Sequence, residues 1–70
     1  MNEPIINYLN DTIKQLIESA KSLTNENDFD KGIRVGYYQT ISFLLIQSTA
    51  FGVFYKLDND IKEFNIESII

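Results

Sequence analysis

The sequence predicts an all-α fold: an antiparallel helical hairpin with a short third C-terminal helix, assembled as a homo-oligomeric bundle. The chain of 70 residues has one proline and three glycines, so few residues interrupt a helix. Apolar residues recur at alternating spacings of three and four, as in helices that pack on one another. The middle of the chain also carries more apolar surface than one neighbouring helix covers.

The first helix is expected over about residues 4–23. Pro4 suits a first helical turn, where its missing N–H would have no partner in any case. One apolar seam of coiled-coil type follows, made of Ile6, Leu9, Ile13, Leu16, Ala20 and Leu23. Polar residues occupy most of the remaining positions, so this segment is an ordinary amphipathic helix.

The second helix is expected over about residues 29–57. Residues 24–28 form a short polar break, with Asp28 or Asp30 as the N-cap, so the two helices should be antiparallel. A helical wheel divides the apolar surface of this helix into two stripes. The stripe facing the first helix contains Ile33, Tyr37, Ile41, Leu44, Phe51 and Tyr55, whereas the predicted oligomer interface contains Gly36, Phe43, Gln47, Ala50 and Phe54.

Two residues of this predicted interface have alternative interpretations. Gln47 either pairs with its symmetry mate and sets the register, as a buried amide does in coiled coils, or lies at the edge of the interface. Gly36, four residues after Gly32, either permits close helix approach or makes room for a large neighbour such as a Tyr or Phe.

A third helix is expected over about residues 59–68. Asp60 and Glu63 have the spacing of a capping box, and apolar residues follow at positions 61, 64, 66, 69 and 70. If this helix folds back onto the second one, it competes with a partner subunit for the second stripe.

Composition excludes several classes of function for what we expect to be one helical domain, residues 1–70. With neither cysteine nor histidine, disulfides are excluded and common metal sites are not expected, so association is the remaining way to stabilise a small core. The net charge of −4 and the scattered basic residues argue against nucleic-acid binding. No residues form a catalytic, cofactor-binding or metal-binding constellation, so we expect no enzyme and no cofactor.

Acidic residues gather at the two chain reversals. They are Glu26, Asp28, Asp30, Asp58, Asp60 and Glu63. They either form an acidic surface that docks on a basic protein or serve as helix caps and solubilising charge. The first possibility gives an alternative function, an acidic and possibly phage-encoded inhibitor of a nucleic-acid-binding protein.

The uncharged stretch 35–55 is long enough to cross a bilayer, which makes a small single-span membrane protein the second alternative. Its Gln, Ser and Thr residues and its apolar stripes favour a protein interface instead. The N-terminus has no basic segment followed by an apolar core, so a cytoplasmic location is expected.

The run Gly36-Tyr37-Tyr38, with Ile41, Gln47 and Ala50-Phe51-Gly52, resembles short uncharacterised helical proteins of low-GC Gram-positive bacteria and their phages or mobile elements. The resemblance lies mainly in the second helix and implies a non-enzymatic accessory protein. The leading hypothesis is therefore a small oligomeric adaptor or regulator that acts through protein–protein contacts with a partner of unknown identity.

Overall fold

The computed structural model describes residues 3–24 and 27–70. Two long helices, α1 (Glu3–Lys21) and α2 (Asp28–Ala50), are followed by a short helix α3 (Asn59–Lys62). Single 3-10 turns at Phe54–Lys56 and Ile66–Ile69 lie on either side of α3, and the described residues contain no strand. At about 1.5 Å per residue, α2 extends along most of the 41 Å length of the molecule. The prediction of an all-α helical hairpin is confirmed.

The buried face of α1 keeps the predicted helical period but uses partly different residues. Its apolar members are Ile6, Ile13, Ile17 and Ala20, whereas Leu9 and Leu16 of the predicted seam are only half-buried. Asn10 occupies the remaining position of the buried face. The helix ends at Lys21, two residues before the predicted end.

The hairpin between α1 and α2 is antiparallel, because the end of α1 lies beside the beginning of α2. The Arg34 guanidinium donates hydrogen bonds to the carbonyl oxygens of Ala20 at 3.0 Å and Leu23 at 2.7 Å. The N-cap of α2 is Asn27 rather than the predicted Asp28 or Asp30. The Asn27 side-chain oxygen accepts from the Asp30 backbone N–H at 2.7 Å, the geometry expected of an N-cap.

The second helix ends at Ala50, seven residues before the predicted end at Leu57. Gly52 has a φ of +73°, a left-handed conformation that costs glycine little. The Gly52 N–H donates to the Thr49 carbonyl, and the Val53 N–H donates to the Ser48 carbonyl at 2.9 Å. These two bonds form a Schellman motif, which satisfies the last carbonyls of α2 and reverses the chain.

The C-terminal segment also differs from the single helix predicted over residues 59–68. Only α3 is α-helical, and the segment then bends into a separate 3-10 turn. The N-cap of α3 is Asp58 rather than Asp60, and its side chain makes no capping bond. The Asp58 N–H instead donates to the side-chain oxygen of Asn10 at 2.8 Å, while the Asn10 amide group donates to the Ile6 carbonyl.

The core lies where α1, α2 and the C-terminal segment meet. Its buried members are Ile13, Ile17, Ala20, Ile41, Leu57, Ile61 and Ile69. The third helix packs against α1 and the last 3-10 turn against α2, so the C-terminal segment covers one flank of α2 within the same chain. Burial of these apolar groups is the main source of stability. The side of α2 opposite the core remains exposed.

Candidate self-association surface

The side of α2 that points away from the core is a row of exposed residues at alternating spacings of four and three. We call this row the outer face; it consists of Gly32, Gly36, Gln39, Phe43, Ile46 and Ala50. Alternating spacings of four and three residues are typical of a helix that packs along its length on a partner helix. The outer face contains no ionisable residue, although the chain has a net charge of −4.

Two large apolar side chains on the outer face are strongly exposed. Phe43 retains 60% of its accessible surface and Ile46 retains 66%. Isolated exposed apolar residues are ordinary in soluble proteins, but adjacent ones on a single helix face form a continuous patch. Phe43 and Ile46 are three residues apart and are therefore neighbours on the helix surface.

The patch continues into a groove at the open end of the hairpin, where α1 begins and α2 ends. We call it the end groove; it encloses about 240 Å³, and Ile5, Tyr8, Gln47 and Phe51 are among its lining residues. Gln47 connects the end groove to the outer face, because it lies one turn from both Phe43 and Phe51. Tyr8 is 71% exposed and Phe51 is 75% exposed, so aromatic surface dominates the rim.

The joined area is comparable to the largest apolar patch of a typical monomer, which is often a functional surface. With about 200 Å² for a whole aromatic side chain, the rings of Tyr8, Phe43 and Phe51 alone present about 400 Å². Ile5 and Ile46 extend this surface. Contiguous apolar patches of more than a few hundred Å² mark interaction sites.

Packing within the chain does not require the glycines of the outer face. A Cβ atom added to Gly32 or Gly36 would meet nothing within 4 Å. No large neighbour from the same chain therefore occupies the space at Gly36. Glycine inside a helix costs about 0.5–1 kcal/mol relative to alanine, and the fold of one chain does not offset that cost.

The structure places most of the predicted interface on this surface. Gly36, Phe43 and Ala50 lie on the outer face, and half-buried Gln47 lies beside them in the end groove. Phe54 does not, because α2 ends four residues earlier and its ring packs against the core.

The predicted interface does not include Gly32, Gln39 or Ile46, although Gly32 stands out in the sequence by its spacing from Gly36. Their signal was the alternation of four and three that runs from Gly32 to Ala50.

The predicted acidic surface is divided and partly neutralised. Asp58 forms an ion pair with Lys14, and Asp60 lies 3.7 Å from the same ammonium group. The carboxylate of Asp30 accepts a hydrogen bond from the Thr24 hydroxyl at 2.9 Å, at the opposite chain reversal. Asp28 and Glu63 are exposed, and Glu26 lies outside the described residues. Within residues 3–24 and 27–70, no three acidic groups come together in a way that would hold a metal ion.

The Lys14 ion pairs should make stability pH-dependent in the alkaline range. The hydrogen bond to Asp58, with the charges of Asp58 and Asp60, raises the pKa of Lys14 above 10.5, while partial desolvation opposes that shift. Because the pKa of Lys14 is higher in the folded chain than in the unfolded chain, its ion pairs contribute fully to stability below the unfolded pKa of 10.5. The contribution disappears as the pH rises through the folded pKa. We therefore expect the free energy of unfolding to fall above about pH 10, measured by urea denaturation.

A Lys14→Met variant provides the comparison, because it removes the ammonium group of both ion pairs. The variant should show a shallower decline than the wild-type chain. Identical pH profiles would contradict a role for the Lys14 pairs.

Comparison of the chain with protein-family models, curated proteins and solved structures gives no match. The resemblance of α2 to short helical proteins of low-GC bacteria therefore stays a prediction. Among the described residues, no helix combines the length and apolarity that crossing a bilayer would require.

Proposed function

We propose that the protein is a small non-enzymatic interaction module that self-associates through the outer face of α2 and acts as an oligomeric adaptor or regulator. The observation that carries the proposal is the exposed, uncharged apolar face joined to the end groove. Exposed rings of Phe43 and Phe51 bring no benefit to an isolated chain in water, whereas their burial in an interface is favourable.

Charge favours association through this face over the other surfaces. Two copies with a net charge of −4 each repel one another, and an interface that contains no ionisable group adds no further desolvation cost. The size of the chain points the same way, because a domain of this length gains little stability from its own core. Association at this face leaves the acidic chain reversals of each copy available for other protein contacts.

The test is the mass in solution across a concentration series, by analytical ultracentrifugation. We expect the wild-type chain to form an oligomer whose population increases with concentration. The Phe43→Asp variant should be monomeric under the same conditions, because a carboxylate would have to lose its hydration at the centre of the interface. The expected effect is at least a hundredfold weaker association.

Tyr55→Asp is a matched control, because Tyr55 is 68% exposed but lies in the 3-10 turn after α2, away from the outer face. This variant should associate like the wild-type chain. A wild-type chain that remains an 8.1 kDa monomer at high micromolar concentration would refute the proposal. Equal association of the two variants would show that a different surface is used.

A further inference from the structure

We propose that two copies pair with their α2 helices antiparallel, about a two-fold axis that passes beside Gln39 and Thr40, so that Phe43 packs over the partner's Gly36. This arrangement rests on the self-association proposed above and specifies its partner, a second copy, and its geometry. It follows from the distribution of large and small residues along the outer face.

The outer face has a small half and a large half. Gly32 and Gly36 form a shallow N-terminal half with no side chain, and Phe43 and Ile46 form a prominent C-terminal half. The midpoint between the two halves falls at Gln39 and Thr40. A parallel pair would place each Phe43 against the partner's Phe43 and leave an empty space between the glycines, which close packing disfavours.

An antiparallel pair removes both problems. Rotation about the midpoint places Phe43 opposite the partner's Gly36 and Ile46 within one residue of the partner's Gly32, so each large half covers a small half. The open space above each glycine then receives a side chain, and this accounts for glycine in the middle of an exposed helix. Size complementarity of this kind is what makes an interface between identical surfaces self-complementary.

The same rotation places an aromatic side chain of the partner at the end groove. Phe29, in the first turn of α2, is 76% exposed. It precedes Ile33 by four residues and Gly36 by seven, and these two residues line a shallow pocket with Leu16 of α1, so Phe29 lies on the flank of α2 next to α1. A two-fold axis perpendicular to both α2 helices keeps the two α1 helices on the same side of the pair. The partner's Phe29 therefore lies opposite Ala50, beside Phe51 and the end groove.

The energetics of the antiparallel pair are favourable. The positive end of each α2 helix dipole lies near the negative end of its partner's, whereas a parallel pair would bring like ends together. The exposed rings of Tyr8, Phe29, Phe43 and Phe51 present about 550 Å² in each copy at about 200 Å² per whole side chain. With Ile46 and the glycine backbone, the surface approaches the about 800 Å² per partner of a standard interface.

A polar residue at the axis sets the register of the pair. Gln39 of each copy lies next to the partner's Gln39, and an amide both donates and accepts a hydrogen bond. A single polar position in an apolar seam fixes alignment at some cost in stability. This function, which the sequence suggested for Gln47, belongs to Gln39 in the antiparallel pair.

Nitroxide labels on single cysteines test the direction, since the chain has no native cysteine. Ser42 and Thr49 lie on the same flank of α2, outside the outer face. In the antiparallel pair the two labels at Ser42 are offset along the helix by about 8 Å and those at Thr49 by about 28 Å, at about 1.5 Å per residue. We therefore expect a clearly longer inter-chain distance from Thr49 by pulsed electron paramagnetic resonance. Equal distances at the two positions would show a parallel pair and overturn the inference while leaving self-association intact.

A size exchange tests the packing of Phe43 on the partner's Gly36. Gly36→Phe should weaken association at least tenfold, because two large side chains then compete for one space. The double variant Gly36→Phe/Phe43→Gly has the wild-type composition and should restore most of the association. Ultracentrifugation measures both, and circular dichroism checks that each variant is folded. A double variant that associates no better than Gly36→Phe would refute the pairing, and a wild-type monomer would refute the proposed function as well.

Discussion

Replacement of Ile41 by alanine is expected to lower the free energy of unfolding by about 3 kcal/mol. Ile41 is fully buried in the middle of α2, within the cluster where α1 and the C-terminal segment meet. Its removal leaves a cavity that three separate chain segments would have to close. A chain of this length has a total stability of about 4–10 kcal/mol, so the loss is a large part of it.

Urea denaturation followed by far-UV circular dichroism measures this loss, with Ile41→Val as the matched control. The valine variant removes one methylene group and should lose about 1 kcal/mol. If alanine and valine have the same effect, the site relaxes around the missing atoms and is not closely packed. Both variants should leave the outer face unchanged, because Ile41 points to the opposite side of α2.

The position of α1 could be predicted to within two residues because its apolar period is continuous and ends in a polar run. The end of α2 could not, because apolar residues continue with helical spacing beyond it. Phe54 and Leu57 keep that spacing, but the chain has already reversed at Gly52. The local signal was present: glycine followed by an apolar residue is typical of a Schellman motif. The apolar spacing that continues past Gly52 nevertheless predicts a longer helix than this short signal does.

The outer face was only partly predictable for a related reason. The sequence predicts that α2 carries excess apolar surface, and Phe43 remains exposed as expected. Which residues accompany Phe43 depends on how the C-terminal segment folds back, which no local pattern specifies. Because Leu57, Ile61 and Ile69 enter the core from one flank, that flank is covered and Ile46 remains outside.

The hydrogen bonds that join distant chain segments through polar side chains could not be predicted at all. Asn10 is polar and lies outside the predicted apolar seam, yet it is buried and binds the N–H of Asp58, which is 48 residues away. The group that Asn10 binds is a backbone N–H, and no sequence pattern indicates which backbone group will lie beside it. Arg34 is a second residue of this kind, since its guanidinium donates to carbonyl groups from two distant segments.

Replacement of Arg34 by methionine is expected to lower the free energy of unfolding by about 2 kcal/mol. One nitrogen of the guanidinium donates to the carbonyls of Ala20 and Leu23, and another donates to the Ser68 carbonyl at 3.4 Å. The Ala20 carbonyl, in the last turn of α1, also accepts from the Leu23 N–H, and the Leu23 carbonyl lies just past the end of the helix. Positive charge is favourable at this C-terminal end. Methionine keeps the apolar part of the side chain but supplies no donor.

Arg34→Lys separates the geometry of the guanidinium from its charge. Lysine keeps the charge but has no planar group that reaches carbonyls on both sides, so it should recover only part of the stability. Amide hydrogen exchange gives the decisive measurement. If Arg34 joins the end of α1 to the last 3-10 turn, both variants should exchange faster at the Ser22, Leu23 and Ile70 amides than the wild-type chain does. A uniform increase along the chain would instead indicate a global loss of stability, and Arg34 would then contribute to the core without joining these particular segments.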